Sequence, residues 1–225
     1  MKKLTAGDGI RRTRVAKLIR ALKKLYPNAG MALRYGSDWE LLVAVMLSAQ
    51  CTDKKVNEVT ARLFKKYRTL DEYVRASHRT FERDIHSTGF YRNKAKNILA
   101  AARMVRDEFG GKVPKTMAEV LRIPGVARKT ANVVLGNAHG VVDGIAVDTH
   151  VRRFALKFNL SDHRDPVRIE RDLMRIVPKR DWFHFTYLVI EYGRNMCPGR
   201  VHHCVEHPLS KIYPPAAKHF PRARS

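Results

Sequence analysis

The stretch from Leu121 to Leu135 reads LRIPGVARKTANVVL and decides the fold of this chain. A short helical segment precedes a Pro-Gly turn, and the segment after the turn carries apolar residues at helical spacing. This order predicts a helix-hairpin-helix. The tight turn would leave backbone N–H groups at the start of the second helix, where the helix dipole adds positive potential. Such a corner can hold a phosphate, although a helix corner without any ligand fits the turn equally well.

Helical periodicity continues on both sides of this stretch. The N-terminal region repeats apolar residues at intervals of three and four, and Trp39 to Ala49 is apolar nearly all round, as in a buried helix. Helix starts are indicated by Thr52, by Asp148 and by the Asp165-Pro166 pair. No segment shows convincing strand alternation, so the predicted fold class is all-α.

The composition points to a polyanionic partner. Lysine and arginine number 44 against 21 aspartate and glutamate residues, a formal net charge of +23 that solubility does not require. Nucleic acid is the first candidate. A membrane is disfavoured because the longest apolar run, Leu41 to Leu47, is far too short to span one.

The location suggested by the sequence is intracellular. The N-terminus is basic but lacks the apolar region of a secretory signal, and three cysteines do not make a disulfide framework. We therefore expect a soluble cytoplasmic protein, associated with the nucleoid if the cell is bacterial.

Four motifs together resemble the helix-hairpin-helix DNA glycosylases, and most closely the endonuclease III family. The resemblance spans almost the whole chain, and the motifs are LSAQCTD at 47–53, GFY at 89–91 followed by Lys94-Ala95, the hairpin, and IAVDTH at 145–150. The resemblance implies a base excision DNA repair enzyme. Its activity would be that of a bifunctional DNA glycosylase/AP lyase, a glycosidase and a lyase at once, removing oxidised or damaged pyrimidines from duplex DNA.

The resemblance assigns catalysis to Lys129 and Asp148. The lysine would attack C1′ of the damaged nucleotide, expel the base and form a Schiff base that undergoes β-elimination. An amine must be neutral to attack, and both the helix dipole and the neighbouring Arg128 disfavour a charged lysine at this position. Asp148 would stabilise positive charge on the sugar and help to remove a proton, besides capping the helix that begins at Thr149.

Other residues match family positions that contact DNA. Gln50 and Phe90 resemble the residues that fill the hole left by an extruded base, with Phe90 in a place usually held by leucine. Asp53 and His150 match positions near the pocket for the extruded base. Ordinary alternatives are a buried glutamine and a core phenylalanine.

The hairpin would supply the remaining DNA contacts, from Gly125, Ala127, Arg128 and Thr130. The family usually has a second glycine where this chain has Ala127. A positive φ at that position would cost alanine roughly 1 kcal/mol.

Two helical lobes with a DNA groove between them are implied by the resemblance. Residues 30–141 would form a helical barrel lobe that contains the hairpin. Residues 1–29 plus 142–225 would form the second lobe from both termini. The expected partner is double-stranded DNA containing damaged bases or abasic sites, bound by a monomer.

The sequence predicts no metal and no cofactor. Endonuclease III proteins usually end in four cysteines that hold an iron–sulfur cluster, and the corresponding residues here are Cys197, Cys204, His207 and Tyr213. Since only two are cysteines, we expect a variant without the cluster. An alternative is a zinc site made from Cys197, Cys204, His207 and either His202 or His203.

Two other functions remain open on the sequence. A monofunctional mismatch glycosylase of the same superfamily would activate water instead of an amine, and Lys129 argues against it. A non-enzymatic helix-hairpin-helix DNA-binding protein would use Asp148 only as a helix cap.

Overall fold

The structure, a computed structural model, describes residues 6–199 and 207–218. Within these ranges the chain contains helices and no β-strand, which confirms the predicted all-α class. Short 3₁₀ turns at His86–Thr88, Lys179–Asp181 and Pro208–Lys211 join some of the helices. The α-helices are α1 (Ala6–Leu25), α2 (Asp38–Leu47), α3 (Asp53–Lys66), α4 (Leu70–Arg75), α5 (His78–Ile85), α6 (Tyr91–Glu108), α7 (Met117–Val120), α8 (Arg128–His139), α9 (Thr149–Lys157), α10 (Pro166–Ile176), α11 (Trp182–Asn195) and α12 (Pro215–Lys218).

The helices group into two compact units. The central unit is the continuous segment Met31–Asp143 and contains α2 to α8. The split unit combines the chain up to Gly30 with the chain from Gly144 onward, so α1 belongs with α9 to α12. The chain therefore leaves the split unit once and later returns to it.

Helix α2 forms the core of the central unit. Every side chain from Leu41 to Leu47 is buried, which confirms the sequence prediction of a helix that is apolar all round. It packs against α3, α6 and α8. Beside it, α4 and α5 pack on α6, and the rings of a neighbouring aromatic cluster meet at centroid distances of 5.2–5.8 Å, namely Trp39, Tyr67, Tyr73 and Phe81.

The split unit closes around its own aromatic core. Helix α1 packs on α10 and α11, and α9 packs on α10 and α11. The predicted apolar stripe of α1 is buried from Val15 to Leu22, but Leu25 is 40% exposed because the helix ends there. Ring centroids 4.5–6.2 Å apart link the interior aromatic side chains Phe154, Phe158, Phe185 and Tyr192.

Side-chain caps fix several helix starts. Thr52 accepts a hydrogen bond from the N–H of Lys55 at 3.3 Å, and Asp165 accepts one from Arg168 at 2.9 Å. These bonds confirm two of the predicted starts, and Pro166 occupies the first turn of its helix as expected. In the described ranges, no helix has both the length and the apolar character that crossing a bilayer requires.

A buried carboxylate ties the loop before α10 to that helix. Asp172 accepts hydrogen bonds from Ser161 Oγ at 2.6 Å and from Arg175 Nη2 at 2.8 Å, and His163 Nδ1 lies 2.8 Å away. Only 6% of Asp172 is exposed. Charge-assisted hydrogen bonds in such a place are stronger than those of a solvated ion pair.

We predict that Asp172→Asn lowers the free energy of unfolding by about 2 kcal/mol, because the amide replaces a charged acceptor among buried donors. The matched control is Asp162→Asn, since Asp162 pairs with Arg11 at 2.5 Å with its side chain 71% exposed, and its loss should cost less than about 1 kcal/mol. Urea unfolding midpoints measure both values. Equal effects would contradict the prediction.

Candidate active site

The turn of the helix-hairpin-helix requires glycine at position 125. Gly125 has a φ of +79°, and a Cβ atom there would lie 2.8 Å from Asn97 Cβ on α6. The turn thus approaches α6 more closely than any side chain allows, in a conformation that side chains disfavour. This contact fixes where α8 begins.

Ala127 is the N-cap of α8 and adopts φ −95° and ψ 169°, an extended conformation. The cost expected for alanine at a positive φ therefore does not arise. Alanine has no side-chain acceptor, so the N–H groups of Lys129 and Thr130 in the first turn are not capped by the preceding residue. They remain suitable donors to an anion outside the helix.

Lys129 is exposed and lies in the first turn of α8, next to the half-buried Arg128. The helix N-terminus carries a partial positive charge, and Arg128 places a second cation beside Lys129.

Asp148 is the N-cap of α9 and is half-buried. One of its carboxylate oxygens accepts a hydrogen bond from the N–H of Val151 at 2.8 Å, which confirms the predicted cap. The preceding residues 145–147 are buried, and Thr186 Oγ1 donates to the carbonyl of Ala146 at 3.0 Å. The side chain is consequently held at a defined place in the split unit.

His150 depends on a glycine that sequence reasoning missed. A Cβ at Gly193 on α11 would lie 2.1 Å from His150 Nδ1, so only glycine leaves room for the ring. Arg153 Nη2 lies 3.0 Å from the same nitrogen and also donates to the carbonyl of Cys197 at 2.9 Å. A glycine within an otherwise regular helix was the available signal, because glycine weakens a helix unless close packing requires it.

Gln50 and Phe90 both adopt left-handed backbone conformations. Their φ values are +53° and +48°, and Asn159 is the remaining non-glycine residue with positive φ in the described ranges. Phe90 is the N-cap of α6, and this large apolar residue is 62% exposed. Backbone strain and an exposed aromatic ring are both unfavourable without a partner, and both are common at functional sites.

Asp53 is the first residue of α3 and is half-buried. An acidic side chain in the first turn also stabilises the helix dipole. The predicted site residues thus divide between the units: Gln50, Asp53, Phe90, Gly125, Ala127, Arg128, Lys129 and Thr130 lie in the central unit, and Asp148 and His150 in the split unit.

Lys94 joins the segments that carry Gln50 and Phe90. The residue lies in one of the sequence motifs, but the sequence alone assigns it no role. Its ammonium is buried and donates to the carbonyls of Leu47 and Thr88, both at 2.8 Å. Burial lowers the pKa of Lys94 from its ordinary value, and the Cys51 thiol acts in the opposite direction.

The chain is similar to known DNA repair proteins over most of its length. Residues 43–179 match the HhH-GPD superfamily of base excision DNA repair proteins. Endonuclease III of Synechocystis sp. is 47% identical over 206 residues, which is 92% of this chain and 94% of that protein. Endonuclease III of Bacillus subtilis is 44% identical over 189 residues, 84% of this chain and 86% of that protein.

A solved structure extends the similarity to three dimensions. Endonuclease III trapped as a covalent intermediate with DNA superposes with a TM-score of 0.87 at 39% identity, covering 96% of this chain and 99% of that one. The chain therefore belongs to the HhH-GPD superfamily of base excision DNA repair proteins and, within it, to the endonuclease III family. It is an enzyme with a DNA glycosylase/AP lyase role in base excision repair.

These comparisons correct the prediction of no cofactor. Endonuclease III proteins carry a 4Fe–4S cluster, so membership of the family contradicts the inference that the cluster is absent. That inference rested on the residues at the four expected ligand positions, where His207 and Tyr213 replace two of the cysteines. Of the residues concerned, Cys204 and the zinc candidates His202 and His203 lie outside the described ranges.

The described side chains near these positions do not fit a four-thiolate cluster. Cys197 is buried, and Lys157 Nζ lies 3.2 Å from its Sγ. Both ring nitrogens of His207 are hydrogen-bonded within the protein, to the hydroxyl of Tyr192 and the carbonyl of Met196. The Arg14 guanidinium lies 4.0 Å from the ring centroid of Tyr213.

We predict that Gly125→Ala destabilises the protein by about 2 kcal/mol or more, because it adds a steric overlap with Asn97 to the cost of a positive φ. Gly140→Ala is the control, since Gly140 has a φ of +66° and a Cβ there would meet no atom within 4 Å, and it should cost only about 1 kcal/mol. Urea unfolding measures the difference. A Gly125→Ala variant no less stable than Gly140→Ala would show that the approach to α6 is unimportant.

Proposed function

We propose that the protein binds duplex DNA that contains damaged bases or abasic sites and excises oxidised or otherwise damaged pyrimidines through a Schiff base on Lys129. The observation that supports this most directly is the exposed lysine in the uncapped first turn of α8, at the corner of the hairpin. The trapped covalent intermediate of a 39% identical endonuclease III with DNA supports a covalent route.

In the proposed reaction the lone pair of Lys129 Nζ attacks C1′ of the damaged nucleotide. The glycosidic bond breaks, and the base departs with the electron pair of that bond and takes up a proton. Nζ then loses a proton, the C1′–O4′ bond breaks to open the sugar ring, and O4′ takes up a proton, which leaves an imine between Nζ and C1′. Loss of a proton from C2′ expels the 3′ phosphate by β-elimination, and water hydrolyses the imine to free the enzyme.

Asp148 has two roles in this proposal. Its cap on α9 fixes the carboxylate in place, and the negative charge stabilises the positive sugar as the glycosidic bond breaks. The same carboxylate accepts the proton that Lys129 must lose. Lys129 lies in the central unit and Asp148 in the split unit.

The hairpin is proposed to anchor the DNA backbone. Gly125 permits close approach, and the N–H groups of the first turn of α8, from Lys129 and Thr130, donate to a phosphate, with Arg128 adding positive charge. The surplus of basic residues supplies further, sequence-independent affinity for the duplex.

Extrusion of the damaged base is assigned to Gln50 and Phe90. A base inside the duplex cannot reach an active site, and the hole that it leaves must be filled. The exposed ring of Phe90 can enter the stack as a wedge, and Gln50 can fill the vacated position as a plug. Asp53 and His150 are proposed to lie near the extruded base.

We further propose that the protein binds DNA as a monomer with two helical lobes, residues 30–141 and residues 1–29 plus 142–225. The protein is expected to act in the cytoplasm, on the nucleoid if the cell is bacterial.

We predict that sodium borohydride traps wild-type protein on DNA with an abasic site or oxidised pyrimidine, because hydride reduces the imine to a stable amine. Lys129→Ala should abolish the cross-link, whereas Lys115→Ala, which removes another exposed lysine of the central unit, should leave it unchanged. Denaturing electrophoresis detects the product. Wild-type protein that excises a base without ever cross-linking would indicate a monofunctional enzyme.

We predict that Asp148→Asn slows excision by about a hundredfold or more while lesion binding changes little, since asparagine still caps a helix but carries no charge. Asp165→Asn is the matched control because Asp165 also caps a helix of the split unit through a backbone N–H, at 2.9 Å. Single-turnover kinetics and binding titrations separate the two effects. Unchanged turnover in Asp148→Asn would leave that residue only as a cap.

A further inference from the structure

Lys94 occupies an unusual position for a lysine. It lies in the first turn of α6 on the face that also buries Ala95 and Ile98, and only 7% of the residue is exposed. Burying an ammonium is costly, and burial lowers its pKa accordingly. Two carbonyl acceptors at 2.8 Å compensate for part of this cost.

The two acceptors are the ends of helical segments. Leu47 is the last residue of α2, and Thr88 is the last residue of the 3₁₀ turn His86–Thr88. Carbonyls at these ends lack partners within their own helix and carry partial negative charge. One ammonium therefore satisfies the terminal carbonyls of both helical segments and holds the two segments at a fixed separation.

The segments that follow these two carbonyls carry the proposed plug and wedge. Gln50 comes three residues after Leu47, and Phe90 two residues after Thr88. The N–H of Lys94 also donates to the carbonyl of Phe90 at 3.1 Å, which fixes the lysine relative to the wedge itself. Because both residues have positive φ, their conformations persist only if the surrounding contacts enforce them.

We propose that Lys94 is a positioning residue for base extrusion, holding the loop of Gln50 and the loop of Phe90 together so that both side chains enter the duplex as one rigid pair. This inference rests on the roles proposed above for Gln50 and Phe90. Lys94 itself does not touch the DNA in this proposal, because its ammonium is buried beneath the two loops.

Lys94→Met keeps the length of the side chain and removes both hydrogen bonds. With a duplex that contains one 5-hydroxyuracil next to 2-aminopurine, we expect excision to fall by about tenfold to a hundredfold, because small misplacements are costly. The 2-aminopurine fluorescence rise on extrusion should fall with it. Borohydride trapping on a single-stranded abasic site, where no stacked base must leave, should change less than about threefold.

Lys66→Met is the matched control. Lys66 is another lysine of the central unit, but it is about half exposed and pairs with Asp84 at 2.6 Å. Its replacement removes the same charge from the protein without altering either loop, so excision and fluorescence should match wild type. A loss as large as that of Lys94→Met would mean that charge alone is responsible, and would overturn the inference.

Variants of Gln50 and Phe90 test the proposed roles of these two residues separately from the inference about Lys94. If Gln50→Ala and Phe90→Ala reduce extrusion but Lys94→Met does not, the inference about Lys94 is wrong and the proposed roles stand. If neither alanine variant has any effect, the proposed roles themselves fail. Adding Lys94→Met to the double alanine variant should cause little further loss, and a fully additive loss would overturn the positioning role.

Hydrogen exchange tests the same idea in wild-type protein, without relying on a variant that must fold. The amide of Cys51 is hydrogen-bonded to Ser48 in one loop, and the amide of Gly89 to His86 at the start of the other. One shared contact predicts that both amides open with the same free energy. Protection factors that differ by more than about tenfold would show that the loops open independently and would overturn the proposal.

Discussion

The backbone groups left unsatisfied at helix ends are the constraint on which this site depends. A helix must find partners for its first N–H and last C=O groups, and those partners become fixed points for side chains. Lys129 lies in a first turn without a side-chain cap, Asp148 caps another, and Lys94 closes two C-termini. An all-helical protein with short connections has many such ends, so catalytic side chains can be placed accurately without any sheet.

The N-termini of α8 and α9 differ in which groups remain available to a ligand. At α9 the aspartate satisfies a backbone N–H and keeps a charged oxygen in a fixed place. At α8 the N-cap is alanine, so the positive end of the helix is open to an external anion. In the proposed reaction, this difference separates a terminus that presents a catalytic carboxylate from one that receives DNA. It follows from which residue occupies the N-cap.

Much of the fold could be predicted from the sequence because its signals are local. The buried helix at Leu41–Leu47 and the caps at Thr52, Asp148 and Asp165 follow from apolar patterning and residue type. The family was recognised from its motifs.

The features that could not be predicted depend on tertiary contacts. Neither glutamine nor phenylalanine prefers a left-handed backbone, so nothing local marks Gln50 and Phe90 as strained. The partners of Lys94 and the room that Gly193 makes for His150 likewise come from other helices. The prediction of no cofactor was drawn from four ligand positions alone and is contradicted by the family, whose members carry a 4Fe–4S cluster.

The central unit interrupts the split unit in the sequence, so the order of synthesis affects how the split unit folds. Helix α1 packs on α10 and α11, which are synthesised only after the whole of Met31–Asp143. At translation rates of about 5–20 residues per second, the apolar face of α1 waits on the order of ten seconds for its partners. The continuous central unit can fold within that interval, whereas the apolar face of the first helix stays uncovered until the chain returns.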